Sequence, residues 1–158
     1  MTDAAANAGK GQVVNFYSQV KAGTNEAFIV TLLQGVGEDD DDLIDHASLQ
    51  ALLAVSGNNV ADFTNYAEVV LKAADIAALP SFNTSTNSRD LDLPDMVWSS
   101  AGGTLNNTLV KLIISYDPDS SLPNDANRVP LAQYDFNTTT AGGNLTALVN
   151  ASGFYKAS

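Results

Sequence analysis

Cysteine is absent from this 158-residue chain. That excludes disulfides and thiolate metal sites and leaves the compartment open. Cations are scarce as well: 7 Lys and Arg stand against 18 Asp and Glu, a formal charge of -11. Nucleic acid and anionic membranes are poor partners for such a surface, because phosphate binding needs clustered Lys and Arg. Solubility and repulsion between copies are favoured instead. Long apolar runs are missing too. AFIVTLL (27 to 33) and LVKLII (109 to 114) are far too short to cross a bilayer. The opening MTDAAANAGKGQ has no apolar core of the kind a secretory signal needs. No G-x-S-x-G, P-loop or G-x-G-x-x-G occurs. A Ser-His-Asp triad, whose members meet only in space, would have to use the single histidine, His46. One histidine without cysteine builds a zinc site only with carboxylate partners. No catalytic, cofactor-binding or metal-binding residue is assigned from these patterns, and the chain is read as a non-enzyme.

What is present describes one domain. Hydrophobic residues make up 45% of the chain, enough for a real core at this length. Residues 1–12 are small, polar and rich in Gly and Ala, and read as a flexible N-terminal arm before a domain spanning 13–158. Val13, Phe16, Tyr17 and Val20 fall at helical spacing, with Gly23 placed to end the helix. AFIVTLLQG reads as a buried strand. Asp45 is suited to cap a short second helix in which Leu49, Leu52 and Leu53 share a face. NYAEVVL (65 to 71) fits helix and strand alike. In LVKLIISY (109 to 116), Val110, Leu112, Ile114 and Tyr116 form an apolar face. Leu109, Lys111, Ile113 and Ser115 form a mixed one, as in a sheet with a single core face. DMVW (95 to 98), PLAQYDF (130 to 136) and NLTALV (144 to 149) read as further strands, with AGG turns at 101–103 and 141–143. Trp98 reads as a buried anchor. The expected class is mainly β with short helices (α+β), an antiparallel β-sandwich-like domain.

The acidic stretch GVGEDDDDLIDH (35 to 46) invites a calcium reading. An EF-hand loop started at Asp39 would put Leu43 and Ile44 at positions 5 and 6, and one started at Asp117 would put Leu122 at 6 and Arg128 at 12. Neither satisfies the ligand pattern, so both loops are expected to be solvated acidic segments. Five Asn-x-Ser/Thr sequons, beginning at Asn83, Asn106, Asn137, Asn144 and Asn150, are read as by-products of Asn- and Thr-rich turns.

The order of segments resembles a family of small tailed-bacteriophage virion proteins of the actinobacteriophage type, namely head decoration or minor capsid proteins. The stretches that carry the resemblance are NFYSQVKAG, AFIVTLLQG, LQALLA, NNVADFTNYAEVVLKAADIAALP, NSRDLDLPDMVWSSAGGTLNNTLVKLIISYDPD, DANRVPLAQYDF and the terminal GFYKAS, from about Gln12 to Ser158. DLPDMVWSS, the strand ending in SYD, and PLAQYDF are the most specific. The resemblance implies a strand for NYAEVVL and a β-sandwich-like module bound outside the head shell. It implies the major capsid protein and further copies of the same chain, as a homotrimer, for partners. Localisation would be the capsid exterior of the virion, after synthesis in the host cytoplasm. No active residue and no cofactor come with it. Lys10, Gln12, Phe16, Tyr17, Phe154 and Tyr155, near the two ends of the chain, are the expected capsid or subunit contacts. A tail or neck structural protein, and a carbohydrate-binding or host-adhesion module, stand as alternatives.

Overall fold

Seven consecutive residues of AFIVTLL are buried. A strand buried on both faces must lie inside a sheet that is itself covered on both sides. The computed structural model, which describes residues 4–150 and 153–157, shows such a sheet. Strand β2 (Ala27–Gly35) runs antiparallel to β7 (Thr108–Asp117), with Ala27 opposite Asp117 and Leu33 opposite Lys111. On its other side β2 is shared by two short strands, β4 (Val69–Leu71) along Phe28–Val30 and β3 (Asn59–Val60) along Leu33–Gly35. Between them the Tyr66 hydroxyl accepts the Leu32 N–H at 3.0 Å, and the Leu32 carbonyl accepts the Ala61 N–H at 2.8 Å. A side chain thus completes the ladder where neither short strand reaches. Strand β8 (Val129–Thr139) extends the sheet beyond β7, and β1 (Ala4–Ala5) closes it, in the order β1-β8-β7-β2-β3.

One face of the sheet carries Phe28, Val30, Leu32, Leu112, Ile114 and Tyr116. Helix α1 (Val13–Ala22) packs there through Val13, Tyr17 and Val20. So do two antiparallel ribbons. One pairs β5 (Arg89–Leu91) with β10 (Tyr155–Ala157), and the other pairs β6 (Met96–Trp98) with β9 (Leu145–Ala147). Trp98 is buried in this layer and donates its indole N–H to the Ala67 carbonyl at 2.9 Å, which satisfies the polar edge of an otherwise apolar anchor. The opposite face is covered by α2 (Asp40–Leu43) and α3 (Leu49–Leu53), whose Leu43, Leu49 and Leu52 meet Leu33 and Ile113. The fold is mainly β and antiparallel with short helices, as the sequence patterns predict; among the described residues there are three helices, of which α2 falls in the acidic stretch expected to be a solvated segment. The layer stacked on the large sheet is built from ribbons and a helix.

Several local expectations change. From Ala4 onward the segment read as a flexible arm is docked: Ala4 and Ala5 pair with Gln133 and Ala132, and Ala6 is buried. Residues 1–3 lie outside the described residues. Composition favours a loose arm, but the open edge of β8 offers backbone partners that composition does not register. Ser48, not Asp45, caps α3, its Oγ accepting the Ala51 N–H at 3.2 Å. The ambiguous NYAEVVL is a strand only at Val69–Leu71. The alternation in β7 also slips. Leu109 joins Leu112 and Ile114, whereas Val110 packs beside Ile113. A register irregularity between Leu109 and Lys111 changes the phase there. The face expected to be mixed and half-open is covered: Lys111 and Ser115 are fully buried.

The two AGG turns, each too short to count as a repeat, meet one another. The Ala101 N–H donates to the Gly143 carbonyl at 2.8 Å, and the Gly142 N–H donates to the Ala101 carbonyl at 2.7 Å. Strand β9 accordingly pairs with β6 instead of folding back on β8. Gly102 sits at φ +88°, and a Cβ there would lie 2.1 Å from Asn106 Oδ1, so both conformation and space require glycine.

Candidate functional site

The six expected contact residues do not form one surface. Tyr17 is completely buried, and its hydroxyl donates to the carbonyls of Ala77 and Asp92 at 3.1 and 3.0 Å. Burial, helped by the Asp92 carboxylate, raises its pKa. Phe154 is buried edge-on to Phe28, with ring centroids 5.8 Å apart. These two are core residues and are withdrawn as contacts. The apolar stripe of α1 has to point somewhere, and a large sheet face is available. Phe16 is half-buried and stacks on Tyr116 at 4.3 Å, and Tyr155 is half-buried on β10 opposite Leu91. Lys10 and Gln12 are exposed, on the turn that leads into α1.

The chemistry missing from the sequence reading is a pair of internal charge networks. Arg128 is buried and binds Asp117 through Nε at 2.9 Å. Its Nη1 binds Glu68 and Asp125, each at 2.8 Å. Glu68 also accepts the Thr31 hydroxyl at 2.6 Å, which ties this cluster to β2. Lys111 on β7 contacts Asp135 on β8 at 2.7 Å and Asp40 on α2 at 2.9 Å. For both cations burial opposes the charged form, and the surrounding carboxylates more than offset it, so both pKa values end raised. One signal pointed to Lys111: a lone cation inside the apolar run LVKLII, since a lysine is almost never fully buried without a partner. The partners themselves, 24 and 71 residues away in the chain, gave none.

The acidic stretch divides in the same way. Asp39, Asp41 and Asp42 are exposed, as expected for a solvated segment, but Asp40 reaches inward to Lys111. Asp45 accepts a hydrogen bond from the Asn7 side chain and so helps to hold the N-terminal segment. His46 Nε2 lies 2.9 Å from Glu38, whose Oε1 also accepts from Asn58 at 2.6 Å. Among the described residues no group of three or more His, Asp or Glu side chains is arranged to hold a metal ion.

A groove of about 260 Å³ opens on the ribbon side, lined by Met96, Leu112, Ile114, Tyr134, Phe136 and Phe154 among others. That is below the volume of most small-molecule sites. The exposed large apolar side chains, Val70, Phe82, Val97, Leu105, Leu122 and Leu148, are scattered over separate loops and strands, a pattern that needs no functional explanation. The outward electrostatics are more distinctive. Lys111 and Arg128 are buried among carboxylates, and Lys21 is tied to the carbonyls of Ala73 and Ile76. Few cations are left to balance the acidic surface.

No protein-family model, curated protein or solved structure matches this chain.

Proposed function

We propose that this chain is a structural virion protein, a decoration or minor capsid protein that binds the outside of a phage head shell in several copies. One observation carries the reading. The segments that resemble that family pack into a single unit: Tyr17 of NFYSQVKAG, Trp98 of DLPDMVWSS, Tyr116 of the strand ending in SYD, Phe136 of PLAQYDF and Phe154 of GFYKAS all belong to one core layer. A module of that family would bring these segments together in the same way. The acidic exterior suits a basic surface on the shell, and repetition over a lattice lets a weak single contact hold each copy. Lys10 and Gln12 remain the exposed candidates for contact with the major capsid protein or with a second copy.

The experiment is separation of purified heads from tails, followed by probing each fraction for this chain and electron cryomicroscopy of the particle. The expected result is density outside the shell, in trimers at threefold positions. Recovery with tails alone supports the tail or neck alternative and rejects this one.

A further inference from the structure

We propose that Lys111 and Asp135 close an intramolecular isopeptide bond, with Asp40 as the proton carrier. Three functional groups meet at one point. The Lys111 side chain has no exposed area, and those of Asp40 and Asp135 retain 17% and 28%. Lys111 and Asp135 face each other in the β7–β8 register, so the strands themselves hold the amine against the carboxyl at 2.7 Å. Helix α2 places the second carboxylate on the same nitrogen at 2.9 Å. One amine, one carboxyl to be attacked and one carboxylate to move the proton are the full requirement for amide formation, and fixed contact replaces a collision between them.

The reaction balances without any co-reactant. The resting ammonium passes one proton to the Asp135 carboxylate, giving a neutral amine and a carboxylic acid. Lys111 Nζ attacks Asp135 Cγ. Asp40 takes a proton from the nitrogen and returns it to the departing hydroxyl, which leaves as water. One C–N bond forms, two N–H bonds and one C–O bond break, both protons leave in the water, and Asp40 ends as the carboxylate it began as. The charges of the Lys111–Asp135 pair disappear, and with them the desolvation penalty of the fully buried ammonium. The carboxylates favour the ammonium at rest, so the reactive amine is a minor form and closure is slow, occurring once per chain. The product staples the middle of β7 to β8.

Intact-mass spectrometry of the full, unmodified chain tests this directly after prolonged incubation of the folded protein and denaturation. The expected mass is lower than the sequence mass by one water, and digestion yields a branched peptide joining residues 111 and 135. Asp40→Asn, which keeps the shape but removes the carrier, and Lys111→Arg should both retain the full sequence mass. A wild-type chain at full mass overturns the proposal, as does a cross-link at any other pair. Water loss that persists undiminished in Asp40→Asn overturns the role given to Asp40.

Discussion

Tyr66→Phe isolates a single atom that holds the centre of the sheet together. Strand β2 is flanked by two short strands, and Leu32 lies where the ladder passes from one to the other. Its N–H donates to the Tyr66 hydroxyl at 3.0 Å. Phenylalanine preserves the ring, which lies edge-on to Phe63 at 5.2 Å, and strands a buried donor. That costs about 1–3 kcal/mol at neutral pH, which for a chain of this size is roughly 4–8 °C in Tm for a loss near 2 kcal/mol. The same hydroxyl provides a second readout. Burial pushes its pKa up to about 12, with the Leu32 bond acting against the rise and Glu68 adding to it. The folded state therefore keeps this proton at pH values where an unfolded tyrosine loses it. The corresponding stabilisation is complete below about pH 10 and fades as pH rises towards about 12, a total of roughly 3 kcal/mol. Phenylalanine has no such proton, so the gap between wild type and variant should narrow through that window, while the raised Tyr17 and Tyr116 affect both proteins alike. Urea titrations followed by the fluorescence of the single, buried Trp98 measure both effects. A neutral-pH difference under about 0.5 kcal/mol, or a gap that stays constant into alkali, refutes the role given to Leu32 and Tyr66.

Arg128→Met should cost about 3–5 kcal/mol in urea unfolding by stranding the nearly inaccessible Asp117 carboxylate, and adding Asp117→Asn should recover part of that loss. Gly102→Ala combines a positive φ with a Cβ 2.1 Å from Asn106 Oδ1, so a loss of about 2 kcal/mol or more is expected, read as a lower urea midpoint. Within the acidic stretch, Asp41→Asn with Asp42→Asn should change stability by no more than about 0.5 kcal/mol. Calcium should leave its melting temperature unmoved, and a calcium-dependent shift in wild type that this variant loses would restore the metal reading. On the proposed virion role, Lys10→Glu with Gln12→Ala should lower occupancy on heads while circular dichroism stays native, and unchanged occupancy removes those two residues from the contact.

Much of the architecture was legible in local pattern. AFIVTLLQG, with seven adjacent apolar or β-branched residues, has no polar edge to turn towards water, so it belongs inside a sheet whichever strands surround it. The spacing of Val13, Phe16, Tyr17 and Val20 marks a helix with a buried side, and a lone tryptophan in an apolar strand marks an anchor. The candidate contacts were less legible, because aromatic residues near chain ends look the same in sequence whether they line a core or an interface. Tyr17 and Phe154 turned out to be core only because α1 and the last strand return to the same sheet face.

The sequence by itself determined the periodicities and the lack of cysteine. It also determined the excess of carboxylates and the one cation embedded in an apolar run. Those properties depend on neighbours a few bonds away. Tertiary structure alone decided which carboxylates turn inward. Four aspartates in a row are equivalent until α2 docks on the sheet, and then Asp40 meets Lys111 while Asp41 and Asp42 face solvent. The same holds for Arg128, whose partners come from β7, the loop before β8 and the segment before β4. A buried charge selects its partners by distance in space, and distance along the chain carries almost no information about it.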